Sequence, residues 1–430
     1  MPEKVVVVGL GFVGQPLALS FARRGVAVSG LDVSASLVAD LGAGISRLYE
    51  EDDGVPIADI LKEALRAHLF SPTTDPAEAY RDAGAVLIAV GIPVTDGRPD
   101  ERPLERAFAT LAEHVQPGTT VILRTTVPPG TTARSLRRAL ERKGLRIGQD
   151  VFLAFVPERL SEGHAFAESK SVPILIGAPD AASRQKAREV MGKICDAAMH
   201  ETDTYEAAEL SKLLENAQRD VNIAVTQEAA RLTEAMGLDI REVIRLASTH
   251  PRVRLLDPGP GVGGFCIPNA FRYMDEVATR LGVPMPTFAA ARRTNDAVPR
   301  LLVQVALDDL GDAPPEGVNV GVLGLAMKDD SVDDRQSPAV WTAEALLGEG
   351  FSVRAYDPLV KGRPYQVDSL EEAVSGARFV YYLVRQPGIP RDDAAFLSSM
   401  AKGGLVIDAR GTLGPRRDQI TSMGLRLWSL

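Results

Sequence analysis

A strand that runs directly into a glycine-rich turn constrains this chain more than any other feature. The β-branched run Val5–Val8 is followed by Gly9-Leu-Gly-Phe-Val-Gly14 and then by a helical stretch ending near Arg24. In this context the first glycine permits a tight turn, the second lets a pyrophosphate approach the backbone, and the third lets the helix pack on the strand. The helix N-terminus then faces the phosphates. We therefore predict a dinucleotide site contacted by Gly9, Gly11, Phe12, Val13 and Gly14.

Asp32 indicates which dinucleotide the turn binds. It follows the next strand-like run, Val28–Leu31, eighteen positions after Gly14. A carboxylate at this point accepts hydrogen bonds from ribose hydroxyls and repels a 2′-phosphate, so we predict NAD and not NADP. The alternative is a glycine turn without a ligand, which is disfavoured because strand, helix and acid all occur at the required spacing.

The length and the hydrophobic pattern predict several domains. A chain of 430 residues is longer than the chains that usually fold around a single hydrophobic core. Strands alternate with helices up to about residue 200 and again from 318, whereas 204–249 and 286–310 have helical periodicity. We predict an α/β fold of two Rossmann-like, doubly wound parallel-sheet domains joined by a helical middle domain, with bounds of 1–203, 204–312 and 313–430. The Gly/Pro-rich stretch 257–268 is expected to be irregular.

Charge and cysteine content narrow the class of partner. The formal net charge of -9 makes nucleic acid an unfavourable partner. No run has membrane-spanning or signal-peptide character, so no membrane partner is predicted. The two cysteines, Cys195 and Cys266, lie far apart, which fits a reduced compartment and predicts a cytoplasmic protein. No metal site is predicted.

Further motifs carry a resemblance to a known family. In chain order they are Thr125-Thr-Val-Pro-Pro-Gly-Thr131, Pro157-Glu-Arg-Leu-Ser-Glu-Gly163, Lys212-Leu-Leu-Glu-Asn216 and Gly261-Val-Gly-Gly-Phe-Cys-Ile-Pro268. Together with the glycine turn they resemble the UDP-glucose/GDP-mannose dehydrogenase family almost end to end. The stretches 219–224 and 250–261 are more similar to its UDP-N-acetylhexosamine branch.

The resemblance implies an enzyme and a set of catalytic residues. Such enzymes oxidise the C6 alcohol of a nucleotide sugar to a carboxylate with NAD, through a covalent adduct on a cysteine thiolate. Cys266 occupies that position, while Cys195 is better interpreted as buried packing. By the same resemblance, Lys212 and Asn216 stabilise an oxyanion, Glu158 supports proton transfer or water activation, and Thr126 orders a catalytic water. Without the family, Glu158 and Glu162 would more readily be solvated loop carboxylates, and Lys212 a surface charge on a helix.

The resemblance also implies the binding residues. For the nucleotide sugar they are Glu158, Arg159, Leu160, Lys212, Asn216, Arg252, Gly263 and Lys328. For the cofactor, Thr126, Glu162 and Arg335 are added to the glycine turn and Asp32. The long apolar helices of the middle domain predict a homodimer, in which Arg252 reaches the neighbouring subunit's site.

The sequence differs from the family pattern mainly at positions expected to take part in catalysis. The family has an aspartate four residues after its cysteine, where this chain has Ala270, and Asn269 beside it cannot take a proton. Val332 replaces an acidic residue, and Phe265 replaces a His, Ser or Pro. Losing a positioned acid or base costs about 10²–10⁴ in rate, so oxidation at C6 is expected to be slowed or incomplete. Two alternatives stay open: a divergent paralogue with an aldehyde or redox-neutral product, and a non-catalytic nucleotide-sugar binding protein.

Overall fold

The computed structural model describes residues 4–95 and 98–430, which divide into two compact units. The first unit is the described part of Met1–Glu215 together with Arg272–Val283. The second is Asn216–Phe271 together with Pro284–Leu430. Two helices therefore contribute residues to both units.

The first unit is built on an eight-stranded sheet. Its strands and those of two small hairpins are β1 (Lys4–Val8), β2 (Ala27–Leu31), β3 (Glu51–Asp52), β4 (Val55–Pro56), β5 (Phe70–Thr73), β6 (Ala85–Ile88), β7 (Val94–Thr95), β8 (Arg98–Pro99), β9 (Thr120–Leu123), β10 (Phe152–Phe155), β11 (Ile174–Gly177) and β12 (Met199–Thr202). The main sheet has the order β12-β11-β10-β9-β6-β1-β2-β5. The hairpins are β3-β4 and β7-β8. The central strands β1, β6 and β9 are apolar except for their first residues Lys4 and Thr120, and they are almost wholly buried, as expected for a sheet covered on both faces.

Helices connect these strands. They are α1 (Gly14–Arg23), α2 (Ala35–Gly42), α3 (Ile57–Arg66), α4 (Pro76–Tyr80), α5 (Arg102–His114), α6 (Arg138–Arg142), α7 (Ala165–Ser171) and α8 (Ala181–Met191). A π-helical turn, Thr132–Arg137, precedes α6. The helices of the middle of the chain are α9 (Tyr205–Ala235), α10 (Ile240–Ala247), α11 (Cys266–Leu281) and α12 (Pro286–Leu310).

The second unit contains a five-stranded parallel sheet. Its strands are β13 (Asn319–Leu323), β14 (Ser352–Tyr356), β15 (Phe379–Tyr382), β16 (Leu405–Asp408) and β17 (Arg426–Ser429), in the order β14-β13-β15-β16-β17. Its further helices are α13 (Pro338–Gly348), α14 (Leu370–Val374) and α15 (Arg417–Ser422), with 3₁₀ turns at Ala395–Ser399 and Gly414–Arg416. The buried side chains of Val320, Tyr381 and Ile407 join α12 and α13 in one core.

The predicted fold class is confirmed, with three corrections. One pair of neighbouring strands, β10 and β11, is antiparallel in an otherwise parallel sheet. The stretch 257–268 is not irregular throughout, because α11 begins at Cys266. Pro268 lies in the first turn of that helix, where proline is tolerated because no N–H is needed. The edge strands β5, β12 and β17 were not predicted, because they are short and carry proline or polar side chains.

Among the residues that the structure describes, no helix is long and apolar enough to cross a membrane.

Candidate functional site

The glycine turn after β1 has the geometry that its sequence predicts. Gly9 has a φ of 88°, and a Cβ placed on Gly14 would overlap the Gly9 carbonyl oxygen, so α1 packs directly against the turn. A Cβ on Gly11 would meet nothing within 4 Å, which leaves open space beside the backbone. The first turn of α1 has no acidic residue and no side-chain cap. The beginning of a helix beside open space is suited to a pyrophosphate.

Asp32 lies where β2 ends, beside the same turn. Its carboxylate accepts hydrogen bonds from the backbone N–H of Leu10 at 2.8 Å and of Ser34 at 2.9 Å. A carboxylate offers about four acceptor positions, so two remain for ribose hydroxyls. The side chain thus both orders the turn and leaves acceptors for a ligand. The exposed Phe12 and half-buried Val13 flank the open space, and the residues present fit NAD.

The loop after β9 carries Thr126, which is half-buried. Its neighbour Thr125 anchors the loop by donating its hydroxyl to the Val90 carbonyl oxygen at 2.8 Å. Farther on, the Glu209 carboxylate on α9 accepts from the Gly130 N–H at 2.5 Å and from the N–H and hydroxyl of Thr132 at 2.9 and 2.6 Å. Burial raises the pKa of Glu209, although these hydrogen bonds oppose the shift. Sequence reasoning missed Glu209.

The loop after β10 carries Glu158, Arg159, Leu160 and Glu162, all half-buried. The Glu158 carboxylate accepts from the backbone N–H of Leu160. Arg159 pairs with Glu215 at 2.7 Å and donates to the Pro173 carbonyl oxygen at 2.6 Å, so much of its hydrogen-bonding capacity is already used within the protein.

Glu50 and Lys212 also belong to the first unit. The Glu50 carboxylate accepts from the N–H groups of Gly163 and Ala165, at 2.6 and 2.9 Å, and so holds the end of the loop that carries Glu158. Lys212 is buried on α9, three residues after Glu209. The Thr126 loop and Lys212 are therefore connected through one helix.

In the second unit, Cys266 is exposed and is the first residue of α11. A helix N-terminus favours negative charge and hence the thiolate form. The Asn216 side-chain amide donates to the Cys266 carbonyl oxygen at 3.0 Å, which ties the cysteine backbone to α9. Cys195 is buried, as predicted for a packing residue. Lys212 and Asn216 lie one turn apart on α9, as predicted.

The loop before Cys266 packs against residues 327–338. The Gly264 N–H donates to the Gln336 carbonyl oxygen at 3.0 Å, and a Cβ on Gly263 would overlap that same oxygen. The Arg335 guanidinium lies 5.0 Å from the centre of the Phe265 ring, a cation–π distance. Asp333 holds Arg335 from the other side through two hydrogen bonds of 2.8 and 2.6 Å.

The other predicted residues of this unit are placed as follows. Lys328 and Arg252 are exposed, and the Arg252 backbone N–H donates to His250 Nδ1 at 3.3 Å. Val332 is half-buried. Ala270, at the position where the resemblance implies a carboxylate, is 1% exposed.

A buried polar stripe on α9 is the main feature that sequence reasoning missed. Beyond Lys212 and Asn216 it contains Asp220 and Gln227, both buried. Arg292 and Asn295 on α12 form hydrogen bonds with Asp220. The sequence does contain a signal for this stripe, because the four-residue spacing of Lys212 and Asn216 continues to Asp220. In residues 4–95 and 98–430, no group of three His, Cys, Asp or Glu side chains is arranged to hold a metal ion.

Comparison with known proteins gives the same family in three successive parts of the chain. Residues 3–195 match the NAD binding domain of the UDP-glucose/GDP-mannose dehydrogenase family, residues 206–297 its central domain, and residues 321–415 its UDP binding domain. A UDP-N-acetyl-D-mannosamine dehydrogenase of Pyrococcus horikoshii is 33% identical over 95% of this chain and 96% of its own. One from Yersinia pestis is 33% identical over 80% of this chain and 82% of its own.

Solved structures of nucleotide-sugar dehydrogenases are similar to this one along nearly the whole chain. A UDP-D-ManNAc dehydrogenase from Pyrococcus horikoshii has a TM-score of 0.87 and 32% identity, covering 95% of this chain and 96% of that one. A UDP-glucose dehydrogenase from Pyrobaculum islandicum has a TM-score of 0.85 and 28% identity, covering 100% and 98%. The glycine turn, the exposed cysteine at a helix start and these likenesses lead to one conclusion: the chain belongs to the UDP-glucose/GDP-mannose dehydrogenase family and is an NAD-dependent oxidoreductase.

Proposed function

We propose that this protein oxidises C6 of a UDP-sugar, of the UDP-N-acetylhexosamine class, through a covalent intermediate on Cys266. The observation that carries the proposal is the placement of Cys266: it is exposed, it begins a helix, and its carbonyl oxygen is held by Asn216. A nucleophile needs this combination of access and fixed backbone. We infer the substrate class from relatives that are named as UDP-N-acetyl-D-mannosamine dehydrogenases.

The cofactor would be held by the glycine turn from Gly9 to Gly14 and by Asp32, with Thr126, Glu162 and Arg335 as further contacts. When bound, NAD supplies the acceptor for each hydride. The chain's own task is to orient the sugar's C6 and to control protons and water around it.

Cys266, with Lys212 and Asn216 of α9, would carry the covalent chemistry. After C6 has become an aldehyde, the Cys266 thiolate attacks it, an S–C bond forms, and the carbonyl oxygen becomes an oxyanion. Lys212 and Asn216 are the donors proposed for that oxyanion. Loss of a second hydride from C6 turns the adduct into a thioester. Water then attacks the thioester, the S–C bond breaks, and the carboxylate leaves with the thiolate restored.

The hydrolytic step would use the loops after β9 and β10. Glu158 takes a proton from the attacking water, which Thr126 helps to order. Substrate contacts are assigned to Arg159, Leu160 and Gly263, with Lys328 and Arg252 contributing charge; Glu158, Lys212 and Asn216 also face the sugar. Hydrolysis of the thioester is the step that the missing carboxylate should slow most.

Ala270 supports a slow release of the acyl group. A methyl group cannot take a proton, and capture by Cys266 needs only a thiolate and an electrophilic aldehyde. The same substitution, together with Phe265 beside the nucleophile, favours the second candidate, a divergent paralogue whose product is an aldehyde or is redox-neutral. A non-catalytic binding protein is disfavoured, because it would need neither Cys266 nor Lys212.

We further propose the division into 1–203 for NAD, 204–312 for the centre and 313–430 for the UDP-sugar, in a cytoplasmic homodimer. The matches to three family domains support the division. The presence of only two cysteines, one buried and one exposed, supports a reducing compartment.

The test is to incubate the protein with NAD and UDP-N-acetyl-D-mannosamine, UDP-N-acetylglucosamine or UDP-glucose and to identify each product by mass spectrometry. The proposal predicts a uronic acid, or a sugar bound to Cys266, with an N-acetylhexosamine substrate. A free aldehyde would favour the divergent paralogue, and no product despite NAD and UDP-sugar binding would favour the binding protein.

A further inference from the structure

Three buried polar side chains on α9 hold the loop that ends at Cys266. Asn216, Asp220 and Gln227 lie on one helix face and are 7%, 2% and 2% exposed. Gln227 donates to the Gly259 carbonyl oxygen at 2.9 Å, and Asn216 donates to that of Cys266 at 3.0 Å. Asp220 lies between these two contacts and reaches the loop through a partner.

That partner is Arg292 on α12. One of its terminal nitrogens lies 2.9 Å from the Asp220 carboxylate, and the other donates to the Val262 carbonyl oxygen at 3.0 Å. Its Nε donates to Asp296 at 3.1 Å. Asn295 donates a second hydrogen bond, of 2.7 Å, to the same Asp220 oxygen. The guanidinium thus joins α9, α12 and the loop at one point.

Stability alone does not account for such a pair. Taking both charges out of water costs about as much as their attraction returns, and apolar replacements of similar volume are often neutral or stabilising. Burial raises the pKa of Asp220, whereas Arg292 and Asn295 oppose that shift. A fixed geometry that the loop requires is the better explanation.

The observed path of the loop requires glycine at two positions. Gly261 has a φ of 122°, and Gly263 has no room for a side chain against Gln336. A segment of glycines has high intrinsic flexibility, so its position depends on the groups that hold its carbonyl oxygens. Val262 is the midpoint between Gly259 and Cys266, and Arg292 holds it.

We propose that Asp220 and Arg292 are positioning residues for the nucleophile: by fixing the Val262 carbonyl they set where the loop presents Cys266. This rests on the proposed function, in which Cys266 is the nucleophile. Displacement of a reacting atom by about 1 Å can cost about 10²-fold in rate. The pair therefore acts on the rate of the chemical step and not on cofactor affinity.

The experiment uses the double variant Asp220→Leu/Arg292→Met, which removes both charges together and leaves neither unpaired. Thr294→Val is the matched control, because Thr294 also links α12 to α9, through Glu228 at 3.2 Å, in an exposed position. Three quantities are measured: kcat and KM with UDP-N-acetyl-D-mannosamine and NAD, the Kd for NAD, and the rate at which iodoacetamide alkylates Cys266. Buried Cys195 is the internal reference for alkylation.

We expect the double variant to stay folded, with kcat lowered by about 10- to 100-fold, KM changed less than about 3-fold and NAD affinity unchanged. The alkylation rate of Cys266 should change several-fold while that of Cys195 does not, and the control should resemble the wild type. A folded variant with wild-type kcat and Cys266 alkylation would overturn the proposal.

If the double variant does not fold, Arg292→Lys provides the test, because an ammonium cannot reproduce the fork that bridges Asp220 and Val262. It should show the same selective loss of kcat and the same change in alkylation, and wild-type values for both would overturn the proposal. Alkylation tests positioning without any turnover. A failure of the proposed function, seen as full turnover by Cys266→Ala, is therefore distinguishable from a failure of this inference.

Discussion

Asp32 orders the glycine turn, and we propose a second role for it in selecting the cofactor. Its carboxylate holds the glycine turn through Leu10 and places negative charge beside the end of β2. Its sequence position predicted the second role, because an acid at this spacing is typical of NAD sites. The hydrogen bond to the turn depends on the folded path of the backbone and could be found only in the structure.

Two substitutions of Asp32 separate these roles. Asp32→Ala should weaken NAD binding by about 10- to 100-fold, since charge-assisted hydrogen bonds contribute about 1.5–3 kcal/mol, and should reduce discrimination against NADP. Asp32→Asn keeps an acceptor and the side-chain shape but removes the repulsion of a 2′-phosphate. It should therefore lose discrimination more than affinity. Calorimetric titration with both cofactors measures this, and unchanged affinity for both in Asp32→Ala would exclude Asp32 from the site.

Ala270 stays a prediction about chemistry. The resemblance implies a carboxylate at this position, and the structure places the alanine methyl group in a buried position one turn after Cys266. A carboxylate here would have had to be paired or protonated. Sequence could not show whether another acid occupies the same space.

Among the elements, α9 is unusual because it buries a row of polar side chains as well as apolar ones. Glu209, Lys212, Asn216, Asp220 and Gln227 are buried along one face. The helical periodicity of the sequence predicted the helix correctly. It could not predict which face is buried, because apolar residues occur on several faces and burial depends on tertiary contacts.

Glu209 allows a prediction about pH. Glu209→Gln should destabilise the protein by about 1–3 kcal/mol, because its amide would turn N–H groups toward the N–H donors of Gly130 or Thr132. The pKa of Glu209 is raised in the folded state, so the stability that it contributes is greatest below its unfolded pKa and is lost as pH rises through the folded value.

The difference in melting temperature between wild type and Glu209→Gln should therefore be larger at pH 5 than at pH 8. Thermal unfolding at both pH values measures it, with Glu206→Gln, an exposed glutamate of the same helix, as control. A difference that grows with rising pH would mean that the folded protein prefers the carboxylate form.

At the scale of the whole molecule, α9 also has an apolar face directed to solvent. Leu210, Leu214, Val225 and Leu232 are 45–63% exposed and recur at helical spacing. Exposed apolar stripes of this kind mark association surfaces. They support the proposed homodimer, with a second copy of the chain as the partner.

Replacing Val225 and Leu232 by glutamate should break that association. A charge buried in an apolar interface is costly, so the double variant should run at the mass of one chain by light scattering at micromolar concentration, whereas wild type should run at twice that mass or more. Leu347→Glu, on α13, is the control and should leave the mass unchanged. Wild-type protein with the mass of one chain would contradict the homodimer.

Intact-protein mass spectrometry during the first turnover, with NADH counted in the same sample, tests whether Cys266 carries a covalent intermediate. Wild-type protein mixed with excess NAD and UDP-N-acetyl-D-mannosamine should form two NADH per chain in a burst. A UDP-sugar acyl group should then accumulate on Cys266 and be released slowly, and Ala270→Asp should speed its release. Cys266→Ala should form no adduct. Covalent catalysis by Cys266 would be contradicted if the wild type formed no adduct while Cys266→Ala produced NADH at the wild-type rate and stoichiometry.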